Sequence, residues 1–238
     1  MINKRATRCI AKLSGDGNIY PGKNNKNGYV RYSNTCQALR EEFKSDMRAI
    51  FGKIPLTEGT TNTATPFVQT HRKDVVLFFL KYLNSFRSKD IAVPDEIKKA
   101  DKLLKKEYLK ALYDDEGSPR LRISKKFKEW KRNISLYSNS KVLITEVKNM
   151  LENDFGIKCN KGYTDKRVDG RVSFVLDITG KDDFELFKQK IGFNHPIKQE
   201  MLNLIIKSYK NAPKKNPTGF SRIKKQLKYL QQSRRFFR

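Results

Sequence analysis

The sequence predicts a mixed α/β chain of the α+β kind, a duplicated helix, hairpin, helix, hairpin, helix module in two pseudo-symmetric halves. Three observations predict it. An acid–glycine pair follows an apolar-periodic stretch twice, the markers after it recur in the same order, and the intervening segments switch between helical periodicity and two-residue alternation.

In the first half Leu13-Ser14-Gly15-Asp16-Gly17 is followed by Tyr32-Ser33-Asn34-Thr35, an amphipathic segment and Phe51-Gly52. In the second, Leu112-Tyr113-Asp114-Asp115-Glu116-Gly117 precedes Tyr137-Ser138-Asn139-Ser140, another amphipathic segment and Phe155-Gly156. The acids are 100 residues apart, the tyrosines 105 and the phenylalanines 104, and Lys73-Asp74 returns as Lys181-Asp182 after 108. Each match alone is within reach of chance. Four in one order, with small insertions at loop-like places, mark a duplication.

The elements follow in order. Residues 4–15 form a short helix. Gln37–Ile50 and Lys141–Asp154 are helical, each stopped by the glycine that follows, Gly52 or Gly156. Asp74–Phe86 and Asp182–Ile191 complete the helical set, and the aromatic pair in Leu77-Phe78-Phe79-Leu80 reads as helix core rather than a base-stacking platform. Pro94–Tyr113 is expected as one helix, with Pro94 at its first position and Ile97, Ala100, Leu104, Tyr108, Ala111 and Leu112 near helical spacing. Arg120–Ser124 and Arg171–Ile178 alternate as strands. Aligned on the tyrosines, Val30 falls opposite Ser135 and Tyr29 opposite Ile134, so one strand requires a bulge or a register one residue off. The expected units are residues 1–92, residues 93–210 and a basic tail, 211–238. In the tail, Ser221–Phe237 is expected as a basic helix docked through Ile223, Leu227, Leu230 and Phe237, or else as a segment without fixed structure until DNA is bound.

Charge points to the partner. Fifty-one Lys and Arg against 25 Asp and Glu give a formal +26, while 15 Phe and 10 Tyr exclude a disordered basic tail, leaving a folded polyanion binder or a heavily solvated Lys-rich surface. No apolar run approaches a membrane span and Met1–Arg8 lacks the apolar stretch of a signal peptide, so an intracellular, cytoplasmic and soluble protein is expected. Cys9, Cys36 and Cys159 lack zinc-site spacing and read as reduced packing residues. His71 and His195 are isolated, which argues against a Ser-His-Asp or Cys-His hydrolase and leaves carboxylates with a metal as the better chemistry.

The acid–glycine pair at a helix end carries that chemistry. Glycine lets the chain leave the helix in a left-handed turn, and the carboxylate beside it sits near free carbonyls and the negative end of the helix dipole, an environment that favours a divalent cation. Two such ends together supply oxygen ligands to a hard ion such as Mg²⁺, which activates water and stabilises a phosphodiester leaving group. Taken singly, Gly15-Asp16-Gly17-Asn18 reads as an ordinary turn; its twin after the helix ending near Glu116 changes that reading.

Leu109-Lys110-Ala111-Leu112-Tyr113-Asp114-Asp115-Glu116-Gly117 resembles the LAGLIDADG motif of homing endonucleases, and the approach through Val93-Pro94-Asp95-Glu96-Ile97 is similar to archaeal members. Cys9-Ile10-Ala11-Lys12-Leu13-Ser14-Gly15-Asp16-Gly17 resembles a diverged first copy, and Ile191-Gly192-Phe193-Asn194-His195-Pro196 followed by Lys198 resembles the close of such domains. The resemblance spans about residues 5–210. It implies a monomer whose motif helices lie side by side, with a curved antiparallel sheet in each half along the DNA major groove. It implies Asp16 and Glu116 as catalytic metal ligands for Mg²⁺ or Mn²⁺, assisted by the carbonyls of Gly15 and Asp115. It further implies double-strand cleavage of a long site leaving 3′ overhangs, and the spread of a mobile intron or intein. Lys12 replaces an apolar residue of the first motif and Asp115 a small one, both of which work against close helix approach. Arg120 and Arg122 are candidates for a basic residue near the scissile phosphate.

Base contacts are expected from polar and basic residues on or between the strands: Tyr20, Lys23, Lys26, Tyr29, Arg31, Asn34, Arg120, Arg122, Lys125, Lys161, Lys166, Arg167 and Arg171. The alternatives are an intron RNA maturase, which would make RNA the partner, or a catalytically inactive DNA-binding protein on the same fold. A basic structural protein explains the charge but not the repeat.

Overall fold

The computed structural model describes residues 2–23, 28–83, 88–124, 129–166, 170, 172–211 and 217–236. In chain order the elements are α1 (Lys4–Ser14), β1 (Gly17–Tyr20), β2 (Tyr29–Ser33), α2 (Gln37–Phe51), β3 (Thr57–Thr60), β4 (Pro66–Thr70), α3 (Lys73–Leu80), α4 (Asp95–Lys98), α5 (Lys102–Glu116), β5 (Gly117–Ile123), β6 (Trp130–Ser138), α6 (Lys141–Asn149), β7 (Tyr163–Lys166), β8 (Val172–Ile178), α7 (Lys181–Lys190), α8 (Pro196–Ser208) and α9 (Pro217–Phe236). The last turn of α6 widens into a π-helical segment, Met150–Asp154.

Local chemistry sets the helix limits. The Asn3 side chain accepts from the Ala6 amide at 2.9 Å and starts α1, and Ser140 does the same for α6 through Leu143 at 3.2 Å. Gly52 and Gly156 adopt φ of +72° and +68° where α2 and the widened α6 end. The single helix expected over Pro94–Tyr113 is instead two. Asp101 turns extended and its carboxylate accepts from the Leu104 amide at 2.9 Å, so a new helix begins there, and Pro94 caps α4 instead of occupying its first turn. Ile97 and Leu104 keep helical spacing across the break, which hides it from a periodicity reading. Phe79 is fully buried and packs edge-on against Phe51 and Phe78, as a core residue should.

Each half holds a four-stranded antiparallel sheet, ordered β1-β2-β4-β3 and β5-β6-β8-β7. The shared order is the duplication made visible, and it settles the strand parity. Gly17 pairs with Tyr32, and Gly117 pairs with Leu136. Tyr32 faces Val68 just as Leu136 faces Leu176. The counterpart of Tyr32 is therefore Leu136 and not Tyr137, a register one residue off, with Val30 matched to Ile134 in the core. The Tyr-Ser-Asn likeness between the halves is a sequence coincidence at that point, because parity is fixed by which face meets the core.

Val30, Tyr32, Ile134, Leu136, Leu176 and Ile178 point to a hydrophobic core that runs continuously through both halves. The opposite faces carry Tyr20, Tyr29, Arg31 and Gln69 in the first sheet and Arg120, Ser135 and Asp177 in the second. Helices α1 and α5 lie against each other at the centre. Among the described residues no helix is long and apolar enough to cross a membrane.

Candidate active site

The central helices bring their C-terminal ends together because one of them is bare. A Cβ added at Gly15 would sit 2.9 Å from Asp115 Cβ, so glycine at the end of one helix makes room for aspartate on the other. The close approach that Asp115 was expected to hinder is thus restored by Gly15. Lys12 does not obstruct it either. Fully buried, its ammonium turns toward α2, 2.9 Å from Glu42 Oε2 and 5.2 Å from the centre of the Tyr32 ring. Burial opposes that charge, but Asp115 and Glu42 outweigh it and hold the Lys12 pKa above its ordinary value. Arg8 ties the helices further, 2.6 Å from Asp46 of α2 and 2.9 Å from Glu107 of α5.

Gly17 and Gly117 have a different reason for being glycine from the one the sequence suggested. Neither has positive φ. A Cβ at Gly17 would lie 2.3 Å from Leu13 Cα, and one at Gly117 2.4 Å from the Tyr113 carbonyl oxygen. The chain doubles back onto the last helical turn so tightly that no side chain fits.

Around this crossing the acids share partners. Asn34 Nδ2 donates to Asp16 Oδ2 at 2.8 Å and to Asp115 Oδ1 at 3.1 Å, and the Tyr32 hydroxyl donates to Asp115 Oδ1 at 2.6 Å. Asn34 Oδ1 accepts from the Cys36 amide at 2.8 Å. Asn34, expected as a base contact, is only 8% exposed in this structure, with its amide held on both ends and turned to the acids.

On the other side, α8 closes over the second corner. Lys198 Nζ donates to the carbonyls of Tyr113 at 3.3 Å, Asp114, and Asp115 at 2.9 Å. The amides of Asn194 and His195 donate to the Asp114 carboxylate, both at 2.9 Å. The carbonyl of Asp115, expected as a metal ligand, therefore already accepts from an ammonium. Lys198 and Lys12 are the cations that act on the acids; the sequence signal of Lys198 was its place in the closing motif.

The electrostatics are those of crowded carboxylates. Burial and then Asp16 push Asp115 well above the usual carboxylate range. Burial raises Asp16 too, against the pull of Lys198, Asn34 and Lys12, although the residue keeps an open side to solvent. Asp114 is pushed up to about 6 by burial. Lys198 is pushed down by burial, while Asp115, Asp114, Asp16 and Glu116 all favour its charged form. Glu116 lines a pocket of about 140 Å³ with Gly15, Tyr137, Ser138 and Asn139.

This donor set fits a divalent ion. The Asp115 Oδ2 atom is enclosed without a hydrogen-bond partner, and a cation would relieve both the burial that raises Asp115 and Asp16 and the repulsion from Asp16 that adds to the shift of Asp115. All donors are hard oxygens, which suits Mg²⁺, Mn²⁺ or Ca²⁺. Among the described residues no three His, Cys, Asp or Glu side chains form a protein-only cage, so water and phosphate oxygens would complete the coordination. The three cysteines are free thiols, and burial raises those of Cys9 and Cys159.

The remaining expected contact residues divide by sheet. Tyr20 stacks on Tyr29 with ring centres 5.6 Å apart, and Arg31 lies over the Phe67 and Tyr29 rings while donating to Gln69 at 2.8 Å. Gln69 in turn meets His71 at 2.8 Å, extending one polar row across the outer face. In the second sheet Arg120 donates to Ser118 at 3.1 Å and covers Tyr137, and Arg122 is exposed. Lys23 and Lys161 are exposed in connecting segments, and Lys166 ends β7. Lys26, Lys125, Arg167 and Arg171 lie outside the described residues. Sequence reasoning missed Asp177, a carboxylate on the outer face that gathers Ser135, Asn133 and Tyr163 by hydrogen bonds. A single acid in the alternating apolar stretch Val172–Ile178 offers no sequence signal of that role.

Two helices ending in acids, crossing between two antiparallel sheets, define a two-module architecture with one shared acidic centre. Residues 104–192 match the family model described as a LAGLIDADG-like domain. Over 79% of the chain the fold is that of solved LAGLIDADG proteins. I-DmoI in complex with DNA and Mn matches with 16% identity and a TM-score of 0.56, covering 79% of this chain and 96% of that one. The homing endonuclease I-WcaI bound to its DNA recognition sequence matches with 19% identity and a TM-score of 0.53, over 79% and 80%. The N-terminal LAGLIDADG domain of DUF199/WhiA matches with 10% identity and a TM-score of 0.51, over 79% and 82%. No curated protein matches the chain in sequence.

Proposed function

We propose that this chain is a site-specific double-strand DNA endonuclease of the homing type, a monomer that hydrolyses phosphodiesters with Mg²⁺ or Mn²⁺ and leaves 3′ overhangs. The observation that carries this reading is the gathering of Asp16, Asp115 and Glu116 at one helix crossing between two sheets with basic and polar outer faces. Structures of I-DmoI with DNA and Mn or Ca, and of I-WcaI on its recognition sequence, support it by likeness of fold.

In this reading the units 1–92 and 93–210 each take one flank of a long duplex site. Asp16 and Glu116 hold the metal, with the Gly15 carbonyl beside Asp16. When bound, a divalent ion supplies an acidified water and neutralises the leaving oxygen. Asn34 fixes the Asp16 carboxylate in place, and Lys198 limits repulsion among the acids. Arg31, Gln69 and His71 in one sheet and Arg120 in the other present donors and acceptors to base edges. The Arg31 guanidinium suits guanine, and its aromatic supports restrict its orientation.

The test is a cleavage screen over duplex DNA that includes the rejoined flanks of the gene's own insertion point, with Mg²⁺ or with EDTA. The reading predicts one double-strand cut with 3′ overhangs that EDTA abolishes. Binding to an RNA that outcompetes every duplex, with no cut in any of them, would replace it with the maturase reading.

A further inference from the structure

From Met201 onward the sequence contains no acidic residue, while Lys207, Lys210, Lys214, Lys215, Arg222, Lys224, Lys225, Lys228, Arg234, Arg235 and Arg238 follow. The described residues of this stretch, 201–211 and 217–236, are not a loose tail. Ile223, Leu227 and Leu230, at 1%, 6% and 6% exposure, seat α9 on the body of the protein, and Phe220 packs on Trp130 with ring centres 4.9 Å apart. The chain leading into it is pinned as well. Arg132 of β6 donates to Ser208 Oγ at 2.7 Å and to the Ser208 carbonyl at 3.1 Å, and Trp130 Nε1 donates to the Asn211 carbonyl at 3.2 Å.

The docking sets a row of cations beside the outer face of the second sheet. A groove of about 600 Å³ is lined by Arg122 and Ile123 of β5 and by Lys224, Lys225, Lys228 and Gln231 of α9. Gln231 also borders a second hollow of about 300 Å³ with Ser118, Arg120 and Arg122. Lys224, Lys228 and Gln231 recur at helical spacing, so one stripe of α9 continues the sheet surface. Arg122, Lys224, Lys225 and Lys228 have no ion-pair partner among the described residues. Four cations around one groove repel one another unless an anion lies between them.

We propose that the groove between β5 and α9 is a clamp for the sugar-phosphate backbone of duplex DNA, holding the outer flank of the site taken by the second half. It rests on the DNA-binding reading and extends it. Lysines in a groove neutralise phosphates without reading sequence, so the clamp adds affinity and footprint length, not specificity.

The full chain carrying Lys224→Gln, Lys225→Gln and Lys228→Gln tests this against a control with Lys53→Gln, Lys99→Gln and Lys102→Gln, exposed lysines away from the groove. Duplex affinity is measured across salt concentrations, with hydroxyl-radical footprinting at one concentration. The clamp predicts that the groove variant loses about 2–3 from the slope of log K against log salt, at roughly 0.9 per phosphate. It also predicts loss of protection on one outer flank only, an unchanged cut position, and an unchanged footprint for the control. Equal slopes and footprints for the wild type and the groove variant overturn it, as does a loss confined to RNA binding. If no specific site exists, the endonuclease reading fails by itself. The clamp is then judged on non-specific duplex, where the same slope difference is expected.

Discussion

At the first acid corner Gly15 meets the crossing helix with no side chain, and Asp16 is steadied by Asn34 from the neighbouring strand. At the second, Asp115 fills the space Gly15 leaves, α8 adds Lys198, and the turn before α8 adds the amides of Asn194 and His195 over Asp114. The two corners descend from one repeat, yet their supports come from different places. Asp115 itself is held by Tyr32 and Asn34 of the opposite half. A symmetric backbone thus carries an asymmetric set of charges, and each half completes the other's corner.

Removing the support peculiar to the second corner should have the largest effect. Lys198→Met leaves three carbonyls without their donor and the buried acids with Lys12 as their remaining counter-charge. A loss of about 3–5 kcal/mol in denaturant unfolding is expected. A neutral result would mean that α8 merely covers the corner.

What the corners share can be tested next. Gly17→Ala and Gly117→Ala each force a Cβ against helix backbone and should lower stability by about 1–3 kcal/mol in thermal melts. Similar penalties at both positions would affirm a common turn, whereas a large difference between them would break the symmetry.

The charge asymmetry has a pH signature. Asp114, raised to about 6, holds its proton more tightly in the folded chain than in the unfolded one, where carboxylates titrate near about 3.9. Its contribution is therefore fully present below about pH 4 and is lost as pH rises through about 6. In EDTA, the melting curve should register a decline on the order of 2 kcal/mol across that window. Asp114→Asn should lessen it, leaving the decline that the raised Asp16 and Asp115 contribute, and stability that climbs over the same range would contradict this assignment.

The smallest effect is expected on the outer face of the first sheet. Arg31→Ala should relax sequence preference at one base pair by about 1–3 kcal/mol, seen in binding to a panel of singly substituted duplexes. Uniform weakening across the panel would instead make Arg31 a phosphate contact.

The repeat was legible because acid–glycine and Phe-Gly pairs sit where the backbone tolerates little else, as the clashes at Gly17 and Gly117 demonstrate. The Tyr-Ser-Asn markers misled by one residue because Tyr137 repeats the letters of Tyr32 while Leu136 repeats its place in the core. The break before Asp101 was hidden by apolar spacing that continues across it. The docked helix of the tail was readable from Ile223, Leu227 and Leu230, while Phe237, the fourth expected anchor, lies outside the described residues. The linkage of Asp115 to Tyr32 and Asn34, and of Lys198 to residues 113–115, joins positions more than 80 apart in the chain. No local pattern encodes such contacts.

The central claim is that the two unequal corners serve one metal-dependent cut. On the duplex found by the cleavage screen, cleavage rate and binding are measured for Asp16→Asn and Glu116→Gln. Each should lower the rate by at least about 100-fold, with duplex affinity in EDTA retained. A cut that survives both substitutions together, or one that proceeds in EDTA, would contradict it.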